Sequence, residues 1–587
     1  MPPPAPGPLA GGGQPRRDLL RCGPWLAAAL GLALYLPTLA GGFALDDDAA
    51  LRGHPVVRGE ASLLEAFTRE FWGRPLSDGW SSSYRPLITL AFAVEQRLSP
   101  GPALPRAVGL LCYALLCGAV VGLARRWLSP AFALGAGALF AVMPAHADNA
   151  ASIVGRADTL GALFAVYALL LLLRSADAIA TASADGPLLG VGLRGALWPG
   201  VAAGGLYLLA LLCKESMALL PALAAWLCGL RLLSASATRR QWRALALCLL
   251  PIAATGALYL LWRQTQLPVG LPPDFVAADN VLTALDLWPA LLLKLRLVAH
   301  YLDWSLVGSA LCVDHTYADR VAVDLSALPD ALGLGVGVAA AAAVGRDAHH
   351  ALRRRGPGLW VAAALAYLIV GQWVVPLSVV AAERLALWPS LWLAMALAGA
   401  LSAPRASSHP AAVRATRVFA IACVAWALWL AGVAVGRGLE WRDRLSLHQA
   451  SAVRCPAAVH NRLNLSQEYA RVGDSARALW HLGVAAAGQT AFPQPLALAA
   501  FAMEAEARAA LGDDAAIPAL ERLPAAVGVP PDGKAAASYW RQLAAVAERL
   551  RQPQTAAFAR SLTGAIGPAS AIPLPAAGAP ARPGRLP

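Results

Sequence analysis

Three consecutive aspartates, Asp46, Asp47 and Asp48, lie a few residues after the first long apolar segment of the chain. Carboxylates at the edge of a bilayer are costly unless water, a cation or a partner stabilises them. A carboxylate in such a position can take the proton from an attacking hydroxyl group. The segment 71–87, which follows, supplies four further polar candidates: Arg74, Asp78, Tyr84 and Arg85.

Three more polar clusters interrupt apolar sequence. They read AVMPAHADNAASIVGRAD (141–158), LLCKESMALLP (211–221), and FVAADN (275–280) followed by LCVDHTY (311–317). They contribute the candidates His146, Asp148, Arg156, Asp158, Lys214, Glu215, Asp279, Asn280 and Asp314.

These residue types point to one class of chemistry. Arginine and lysine side chains stabilise a phosphate leaving group, and a carboxylate acts as a general base. Together they suit a reaction at the membrane surface between an anionic lipid and a polar acceptor. The structural alternatives are that the aspartates are solvated loop charge or a helix N-cap, and that Lys214 and Glu215 neutralise each other at a helix end.

The composition indicates an integral membrane protein. Of the 587 residues, 58% are hydrophobic and 14% are charged, and the mean hydropathy is +0.54. The net charge of +13 raises the question of nucleic-acid binding. The basic residues, however, form short arginine clusters between apolar segments, which is typical of cytoplasmic loops and argues against a nucleic-acid partner.

Eleven segments are candidate membrane spans, since a helical span needs roughly 17–25 apolar residues. They are 24–40, 107–124, 131–144, 158–173, 197–213, 216–232, 244–262, 330–345, 359–377, 385–402 and 417–436. We therefore predict an all-α, multispanning membrane protein.

Arginine clusters predict the orientation of these spans. They precede the first span and occupy every second loop after it, so we expect those loops to be cytoplasmic. The clusters are Arg16, Arg17 and Arg21, then Arg125 and Arg126, Arg239 and Arg240, Arg353 to Arg355, and Arg414 and Arg417. The opposite loops, 41–106, 145–157, 263–329 and 378–384, then face outward. A cleaved signal peptide is the alternative for the first apolar segment.

The segment 283–310 is apolar but carries Lys294, Arg296 and His300. A single crossing here would move the basic segment 353–355 to the outer side. We therefore predict an interfacial or re-entrant amphipathic helix with those three residues on its polar side.

From about residue 437 the sequence changes to that of a soluble helical domain. The window NLSQEYARVGDSARALWHLGVAA matches the tetratricopeptide pattern at six positions. These are Leu465, Tyr469, Gly473, Ala478, Leu482 and Ala485. Degenerate copies around 505–522 and 538–562 predict a short helical array, and an unrelated α-helical cap is the alternative.

The predicted organisation has four parts. A disordered cytoplasmic N-terminus (1–23) precedes a transmembrane domain (24–436), whose large outer loops are 41–106 and 263–329. A tetratricopeptide-like helical domain outside the cytoplasm (437–562) and a disordered tail (563–587) follow, since both chain ends are rich in Pro, Ala and Gly.

In these residues and their order the sequence resembles the transmembrane and tetratricopeptide-repeat O-mannosyltransferases, members of the C-type glycosyltransferase class. The resemblance extends over about 43–490. Its blocks are FALDDDAALRGHPVV, FWG with SYRPLITLAF, ALFAVMPAHADNAASIVGRADTLGALF, LLCKESMALLPAL, FVAADN with LCVDHTY, AERLALWPS and the C-terminal repeat segment. The chain departs from the family where Asp148 replaces the expected Glu, and its repeat array is shorter than in animal members.

The resemblance implies transfer of a sugar, most commonly mannose, from a polyprenyl- or dolichyl-phosphate donor to protein Ser or Thr hydroxyls, with inversion, on the outer face. Asp46 or Asp47 is then the general base. The implied donor-phosphate ligands are Arg85, Arg156 and Lys214, and the implied pocket residues are Asp48, Tyr84, His146, Asp148, Asp158, Glu215, Asp279, Asn280 and Asp314. A divalent metal, Mg²⁺ or Mn²⁺, bridging Asp46 and Asp47 to the phosphate is the one cofactor considered.

The expected partners are the lipid-linked donor and a protein acceptor docked by the tetratricopeptide-like domain. A bacterial inner membrane is the expected location, or the endoplasmic reticulum membrane in a eukaryote. The alternatives are transfer to a lipid or polysaccharide and, in another class, a transporter of lipid-linked intermediates. A transporter typically has duplicated halves and ionisable residues at the bilayer midplane. We find no duplicated halves, and the polar clusters lie at the ends of loops.

Overall fold

The computed structural model describes residues 20–78, 83–182, 193–267, 280–283, 285–315, 326–353, 356–402, 410–456, 458–487 and 560. Over these residues the chain is helical, and β pairing is confined to an isolated bridge between Arg69 and Pro75. The predicted all-α class is therefore confirmed.

Eighteen α-helices are present in the described part of the chain. They are α1 (Gly23–Tyr35), α2 (Pro55–Arg58), α3 (Pro86–Leu98), α4 (Ala103–Ala124), α5 (Pro130–Val142), α6 (Ala147–Ala151), α7 (Arg156–Thr181), α8 (Leu193–Cys213), α9 (Leu220–Ser234), α10 (Arg239–Gln266), α11 (Leu287–Leu306), α12 (Leu328–Leu352), α13 (Leu359–Val370), α14 (Leu387–Leu401), α15 (Pro410–Glu440), α16 (Arg444–Arg454), α17 (Val459–Arg471) and α18 (Ser475–Ala487).

Each of the eleven predicted spans overlaps a helix. Among the described residues, eight helical segments are long and apolar enough to cross a membrane. The bent pair α5 and α6 would make a ninth, and α13 and the segment Leu197–Cys213 are shorter apolar helices. The chain is therefore an integral membrane protein with several spans, and the figure of eleven stays a prediction. α13 ends at Val370, seven residues before the predicted end.

Small residues allow the first spans to pack closely. A Cβ added at Gly118 in α4 would lie 2.8 Å from the carbonyl oxygen of Pro24 in α1. A Cβ added at Gly31 would lie 2.9 Å from the sulfur of Cys117. Glycines in these positions let the two helix backbones approach each other, which is how helices associate where lipid removes the hydrophobic driving force.

Two breaks in apolar helices place polar residues inside the helical bundle. The first lies before Pro144, where α5 and the segment Pro144–Ala151 are bent by 58°. Proline at this point starts a new helical turn after the break because its ring fixes φ and it lacks an N–H donor. The second lies at Lys214, which is extended (φ −156°, ψ 126°) between α8 and the 3₁₀ turn Glu215–Leu219.

The first predicted outer loop is a folded region. A hydrophobic cluster includes Val56 in α2, Phe71, Phe92 in α3, and Ile153 and Val154 from the segment between α6 and α7. Each of these side chains is buried. The cluster therefore holds the segment after the three aspartates against the start of α7.

The predicted amphipathic helix at 283–310 is α11. It is not among the eight segments that are apolar enough to span a membrane. Arg296, predicted to lie on the polar side of this helix, is buried, and its Nη1 donates to Asp330 Oδ1 at 2.5 Å. Asp330 lies in the first turn of α12, so the charge of Arg296 is neutralised by the following helix.

The described residues fall into two compact units, the second of which begins at residue 448. The predicted boundary at 437 lies inside α15. In the second unit α17 and α18 form a helical pair in which Leu465 and Ala478 are buried. Gly473 between them has φ +81°, a conformation that favours glycine. The tetratricopeptide assignment stays a prediction, and the two degenerate copies lie outside the described residues.

Candidate functional site

Seven charged side chains from separate parts of the sequence form one cluster, which we call the charged cluster. Three ion pairs account for six of them, and the seventh is a further carboxylate. The pairs are Arg384 with Asp148, Lys214 with Asp158, and Arg85 with Glu215, and the remaining carboxylate is Asp46. The sequence resemblance implied one site with residues from all four polar clusters, and the charged cluster contains residues from the first three.

The three consecutive aspartates have three different environments. Asp47 is fully buried, whereas Asp46 and Asp48 are half-buried. Asp48 binds two arginines: Arg52 Nη1 lies 3.1 Å from Oδ1, and Arg444 Nη1 lies 2.5 Å from Oδ2. Asp48 is therefore neutralised by local arginines.

Asp47 connects two segments of backbone. Its Oδ2 accepts a hydrogen bond from the amide of Ala44 at 3.0 Å, and its Oδ1 accepts one from the amide of Val154 at 3.1 Å. Burial raises the pKa of Asp47 to about 7, although these hydrogen bonds and the charge of Arg106 act in the opposite direction. A carboxylate held in this way positions backbone and has no exposed oxygen for a substrate.

Asp46 is the carboxylate of the charged cluster that has no ion pair with any described residue. Its charge acts on both Arg384 and Asp148, so it lies within electrostatic range of them. The side chain is partly accessible. Of the two residues predicted as the general base, Asp46 is the one whose side chain is partly accessible, and a base must be accessible to reach the proton that it removes.

Arg384 was not among the predicted site residues. It lies in the 3₁₀ turn Glu383–Ala386 before α14, and Asn149 Nδ2 donates to its carbonyl oxygen at 3.1 Å. Its guanidinium is 3.5 Å from Asp148 Oδ2 and is 26% exposed. The available sequence signal was the Glu-Arg pair in AERLALWPS, a charged dipeptide at the start of an apolar segment.

The other two ion pairs differ in accessibility. Lys214 Nζ lies 2.9 Å from Asp158 Oδ2, and both side chains are 5% exposed. Arg85 Nη2 lies 3.3 Å from Glu215 Oε1, with Glu215 30% exposed. Lys214 and Glu215 each form an ion pair with a different residue, and the charge of each also acts on the other, so mutual neutralisation is one part of their environment. Arg85 also lies over the ring of Phe71, at 4.7 Å.

Arg156 was predicted to bind the donor phosphate, but it is fully buried. Its Nη1 donates to Glu95 Oε1 at 2.6 Å, and its guanidinium lies 4.3 Å from the ring centre of Phe92. Both partners are in α3. Arg156 therefore connects the start of α7 to α3 and does not face an accessible site.

Two predicted pocket residues lie in the core. His146 is fully buried and interacts with Tyr113 Oη at 3.1 Å and Ser390 Oγ at 2.7 Å, so it does not line a pocket. The hydroxyl of Tyr84 donates to the carbonyl of Phe67 at 3.1 Å, and burial raises the pKa of Tyr84 to about 12. Both side chains support neighbouring elements.

The fourth predicted cluster has separate contacts. Asn280 is fully buried, and its Nδ2 donates to Gln372 Oε1 at 2.5 Å and to the carbonyl of Leu377 at 2.8 Å. It therefore holds the segment after α13. Asp314 is half-buried after α11, and Asp279 lies outside the described residues.

Two further candidates come from the segment 71–87. Arg74 is half-buried, and Asp78 ends the 3₁₀ turn Leu76–Asp78.

The arrangement does not fit a metal ion bridged by Asp46 and Asp47. Hard cations such as Mg²⁺ need several accessible oxygen ligands. Both oxygens of Asp47 accept backbone hydrogen bonds, and its side chain is shielded from solvent. The two aspartates thus do not present a shared face to an ion.

The charged cluster combines a half-buried carboxylate with a half-buried arginine. A carboxylate in this position can take a proton from a hydroxyl, and a guanidinium can bind a phosphate through two N–H groups. These two functions together are what transfer from a phosphate-linked donor to a hydroxyl requires.

Comparison with known proteins gives matches over part of the chain. This chain is 35% identical over 150 residues to the protein O-mannosyl-transferase F38B6.6 of Caenorhabditis elegans, and the match covers 24% of this chain and 22% of the relative. It is 41% identical over 135 residues to the protein O-mannosyl-transferase Tmtc2 of Drosophila melanogaster, covering 22% and 14%. It is 35% identical over 148 residues to the human protein O-mannosyl-transferase TMTC2, covering 25% and 18%.

No family model and no solved structure matches the chain. The matched region spans about a fifth or less of each of these relatives. All three come from animals, so the matches do not support the predicted bacterial inner membrane. Over about a quarter of its length, the chain is similar to the TMTC-type protein O-mannosyl-transferases, and the resemblance found in the sequence is confirmed to that extent.

Proposed function

We propose that the protein is a membrane glycosyltransferase that moves mannose from a polyprenyl- or dolichyl-phosphate donor to Ser or Thr hydroxyls of proteins. The observation that carries the proposal is the charged cluster. In this cluster Asp46 takes part in none of the three ion pairs, and its charge acts on Arg384. The similarity to protein O-mannosyl-transferases supports the sugar and the acceptor class.

In the proposed reaction the acceptor hydroxyl oxygen attacks the anomeric carbon of the donor. Asp46 takes the hydroxyl proton, the bond between that carbon and the phosphate oxygen breaks, and the lipid phosphate leaves with the electron pair. A single displacement of this kind inverts the anomeric configuration. Developing negative charge on the phosphate is where a cation contributes most to the transition state.

Arg384 is the proposed phosphate ligand, with Arg85 as a second cation. Arg384 is loosely paired at 3.5 Å and half-buried, so a phosphate can approach its guanidinium. Lys214 and Arg156 are excluded from this role in the proposal because their partners Asp158 and Glu95 bind them in buried ion pairs. Their function is to hold α7, α8 and α3 in position around the site.

The test uses the purified full-length chain in lipid nanodiscs with labelled polyprenyl-phosphate mannose. Ser- and Thr-containing proteins, membrane lipids and polysaccharides are offered as acceptors, and the labelled product is identified by mass spectrometry. We expect protein to be labelled. Labelling of lipid or polysaccharide alone would show that the acceptor is not a protein, and no labelling of any acceptor would contradict the proposed function.

A matched pair of variants tests the base. General-base catalysis contributes roughly 10²–10⁴-fold, so Asp46→Asn should lower transfer by about that factor. Asp48→Asn, which changes the same charge two residues away, should leave transfer within a few-fold of the unchanged chain. Equal activity of Asp46→Asn and Asp48→Asn would remove Asp46 from the mechanism.

A further inference from the structure

A second cationic site lies at the other end of the helical bundle. A cavity of about 420 Å³ is lined by residues from the loop between α4 and α5, the end of α7, the end of α9, and the segment after α12. Small-ligand pockets have volumes of roughly 300–1,000 Å³, so this cavity can hold a headgroup-sized molecule. None of its lining residues belongs to the charged cluster.

The position of the cavity follows from α7. This helix carries Asp158 of the charged cluster near its start and Asp177 of the cavity near its end. At 1.5 Å per residue, the 19 residues between them correspond to about 28 Å. The hydrocarbon core of a bilayer is about 30 Å thick, so the cavity lies at the membrane surface opposite the charged cluster.

The cavity has an excess of positive charge. Asp177 binds two arginines: its Oδ2 pairs with Arg126 Nη2, and its Oδ1 accepts from Arg231 Nε at 2.7 Å. Burial, with the nearby charges of Arg174 and Arg231, lowers the pKa of Arg126. Asp177 is the one carboxylate among the lining residues and pairs with the two lining arginines, so the cavity keeps a net positive charge. The guanidinium nitrogens of Arg126 and Arg231 that Asp177 does not bind are the candidate donors to an anion.

The apolar and the charged residues that line the cavity occupy different depths in the membrane. Leu173 lies one helical turn before Asp177 on the same face of α7, and Leu227 lies one turn before Arg231 on α9. The leucines are therefore nearer the membrane centre, and the charged residues and Ser234 are nearer the aqueous surface. Acyl chains and headgroups have this same order in a leaflet.

We propose that this cavity binds the phosphate group of an anionic phospholipid, with Arg126 and Arg231 as the phosphate ligands. Guanidinium groups bind phosphate oxygens through paired N–H donors. The adjoining leucine wall favours a lipid over a soluble phosphate. This inference concerns a different surface from the proposed transfer reaction and does not depend on it.

The test measures lipid retention by native mass spectrometry. The full-length chain is taken from nanodiscs containing phosphatidylcholine and phosphatidylglycerol, and we expect one retained phosphatidylglycerol per chain. Arg126→Gln with Arg231→Gln should lower its occupancy at least about fivefold. Arg239→Gln with Arg243→Gln removes the same charge from exposed arginines at the start of α10, outside the cavity, and should not change occupancy.

A second pair of variants keeps the Arg–Asp ion pairs intact in case the arginine variants do not fold. Ser234 is exposed at the cavity mouth. Ser234→Glu adds a negative charge and should displace the lipid, whereas Ser234→Gln adds similar volume without charge and should retain it. Equal retention by these two variants, or no preference for phosphatidylglycerol over phosphatidylcholine in the unchanged chain, would overturn the proposal.

Adding inorganic phosphate tests whether the site binds a phospholipid headgroup or a free phosphate ion. If millimolar phosphate raises the thermal stability of the delipidated chain and phosphatidylglycerol is not retained, the site takes a soluble anion, and the lipid assignment fails. Retained phosphatidylglycerol that is insensitive to millimolar phosphate supports the lipid.

Discussion

The carboxylate of Asp47 accepts a hydrogen bond from the backbone amide of Val154, 107 residues further along the chain. Its other oxygen accepts from the amide of Ala44, so the side chain joins the segment after the first span to the start of α7. Asp47→Asn replaces one acceptor by a donor that faces an N–H group. An unsatisfied buried polar group costs roughly 1–3 kcal/mol, so this variant should lower the free energy of unfolding by about that amount.

The measurement is thermal unfolding in nanodiscs, with Asp48→Asn as the control.

The stability that Asp47 contributes should depend on pH in a defined direction. Because the pKa of Asp47 is raised to about 7, the folded protein keeps a proton that the unfolded chain releases above about pH 4. The contribution of Asp47 to stability therefore falls as pH rises from about 4 to 7. Asp47→Asn cannot ionise and should remove this dependence; an unchanged slope would contradict the assignment.

His54 makes the segment after the aspartates sensitive to acid. Its Nδ1 accepts a hydrogen bond from the amide of Val56 at the start of α2, which requires an unprotonated nitrogen. Burial, together with the charge of Arg69, lowers the pKa of His54 to about 4. Since the unfolded chain takes up its proton near pH 6.5, the stability that neutral His54 provides is lost as pH falls from about 6.5 to 4.

Hydrogen exchange of the amides of residues 56–58, corrected for the intrinsic exchange rate, measures this effect. Protection should decrease on acidification in the unchanged chain and stay nearly constant in His54→Asn, since Asn also caps a helix but does not titrate. Asp47 is present in both proteins, so its own titration cancels in the comparison. Parallel pH profiles for the two proteins would show that His54 is not the responsible group.

The sequence was sufficient for the helices and for much of the charged cluster, for identifiable reasons. Long apolar segments must form helices in a membrane because every backbone group needs an internal partner. Charged residues within such segments are costly, so Asp158, Lys214 and Glu215 stood out against their surroundings. Arg384 has the same signal but lies at a helix start, where a charge is common, and it was therefore missed.

The pairing of these residues was not available from the sequence. Asp46, Asp47 and Asp48 are identical in type, and only the fold determines that one is buried, one binds two arginines and one has no ion-pair partner among the described residues. His146 and Arg156 are polar residues in apolar surroundings, a pattern that a site and a satisfied core share. Their partners, Ser390 and Glu95, are distant in sequence and lie in helices of their own.

The ion pair between Lys214 and Asp158 is expected to stabilise the fold only as a pair. Lys214→Met leaves Asp158 as a buried uncompensated charge, which typically costs about 3–5 kcal/mol. Lys214→Met with Asp158→Leu removes both charges and should recover most of that loss, because buried pairs can often be replaced by apolar residues. Thermal unfolding of the two single variants and the double variant completes a double-mutant cycle.

Donor binding by the double variant tests whether Lys214 has only a structural role or also binds the donor phosphate. If Lys214 only holds α8 against α7, the folded double variant should bind polyprenyl-phosphate mannose as the unchanged chain does. A folded double variant with greatly weakened donor binding would restore Lys214 to the phosphate-binding role that the sequence resemblance implied. A double variant as unstable as Lys214→Met alone would mean that the two charges do not act as a pair.

Arg384 and Asp148 provide the most direct test of the proposed phosphate site. Lysine keeps the positive charge but cannot bind a phosphate through two N–H groups of one planar fork. Arg384→Lys should therefore raise the KM for the donor by about tenfold, which corresponds to roughly 1.4 kcal/mol, without lowering thermal stability. Arg442→Lys, at an exposed arginine that pairs with Asp443, is the control and should leave the KM unchanged.

Asp148→Glu completes the test, since Glu is the residue that the sequence resemblance led us to expect here. Arg384 is 3.5 Å from Asp148 Oδ2, a distance at which one added methylene group can be accommodated by a small shift of the guanidinium. Asp148→Glu should retain activity, whereas Asp148→Asn removes the charge that positions Arg384 and should weaken donor binding. If Asp148→Asn binds the donor more tightly, Asp148 competes with the phosphate for Arg384 and does not orient it; in that case the pair opens when the donor binds.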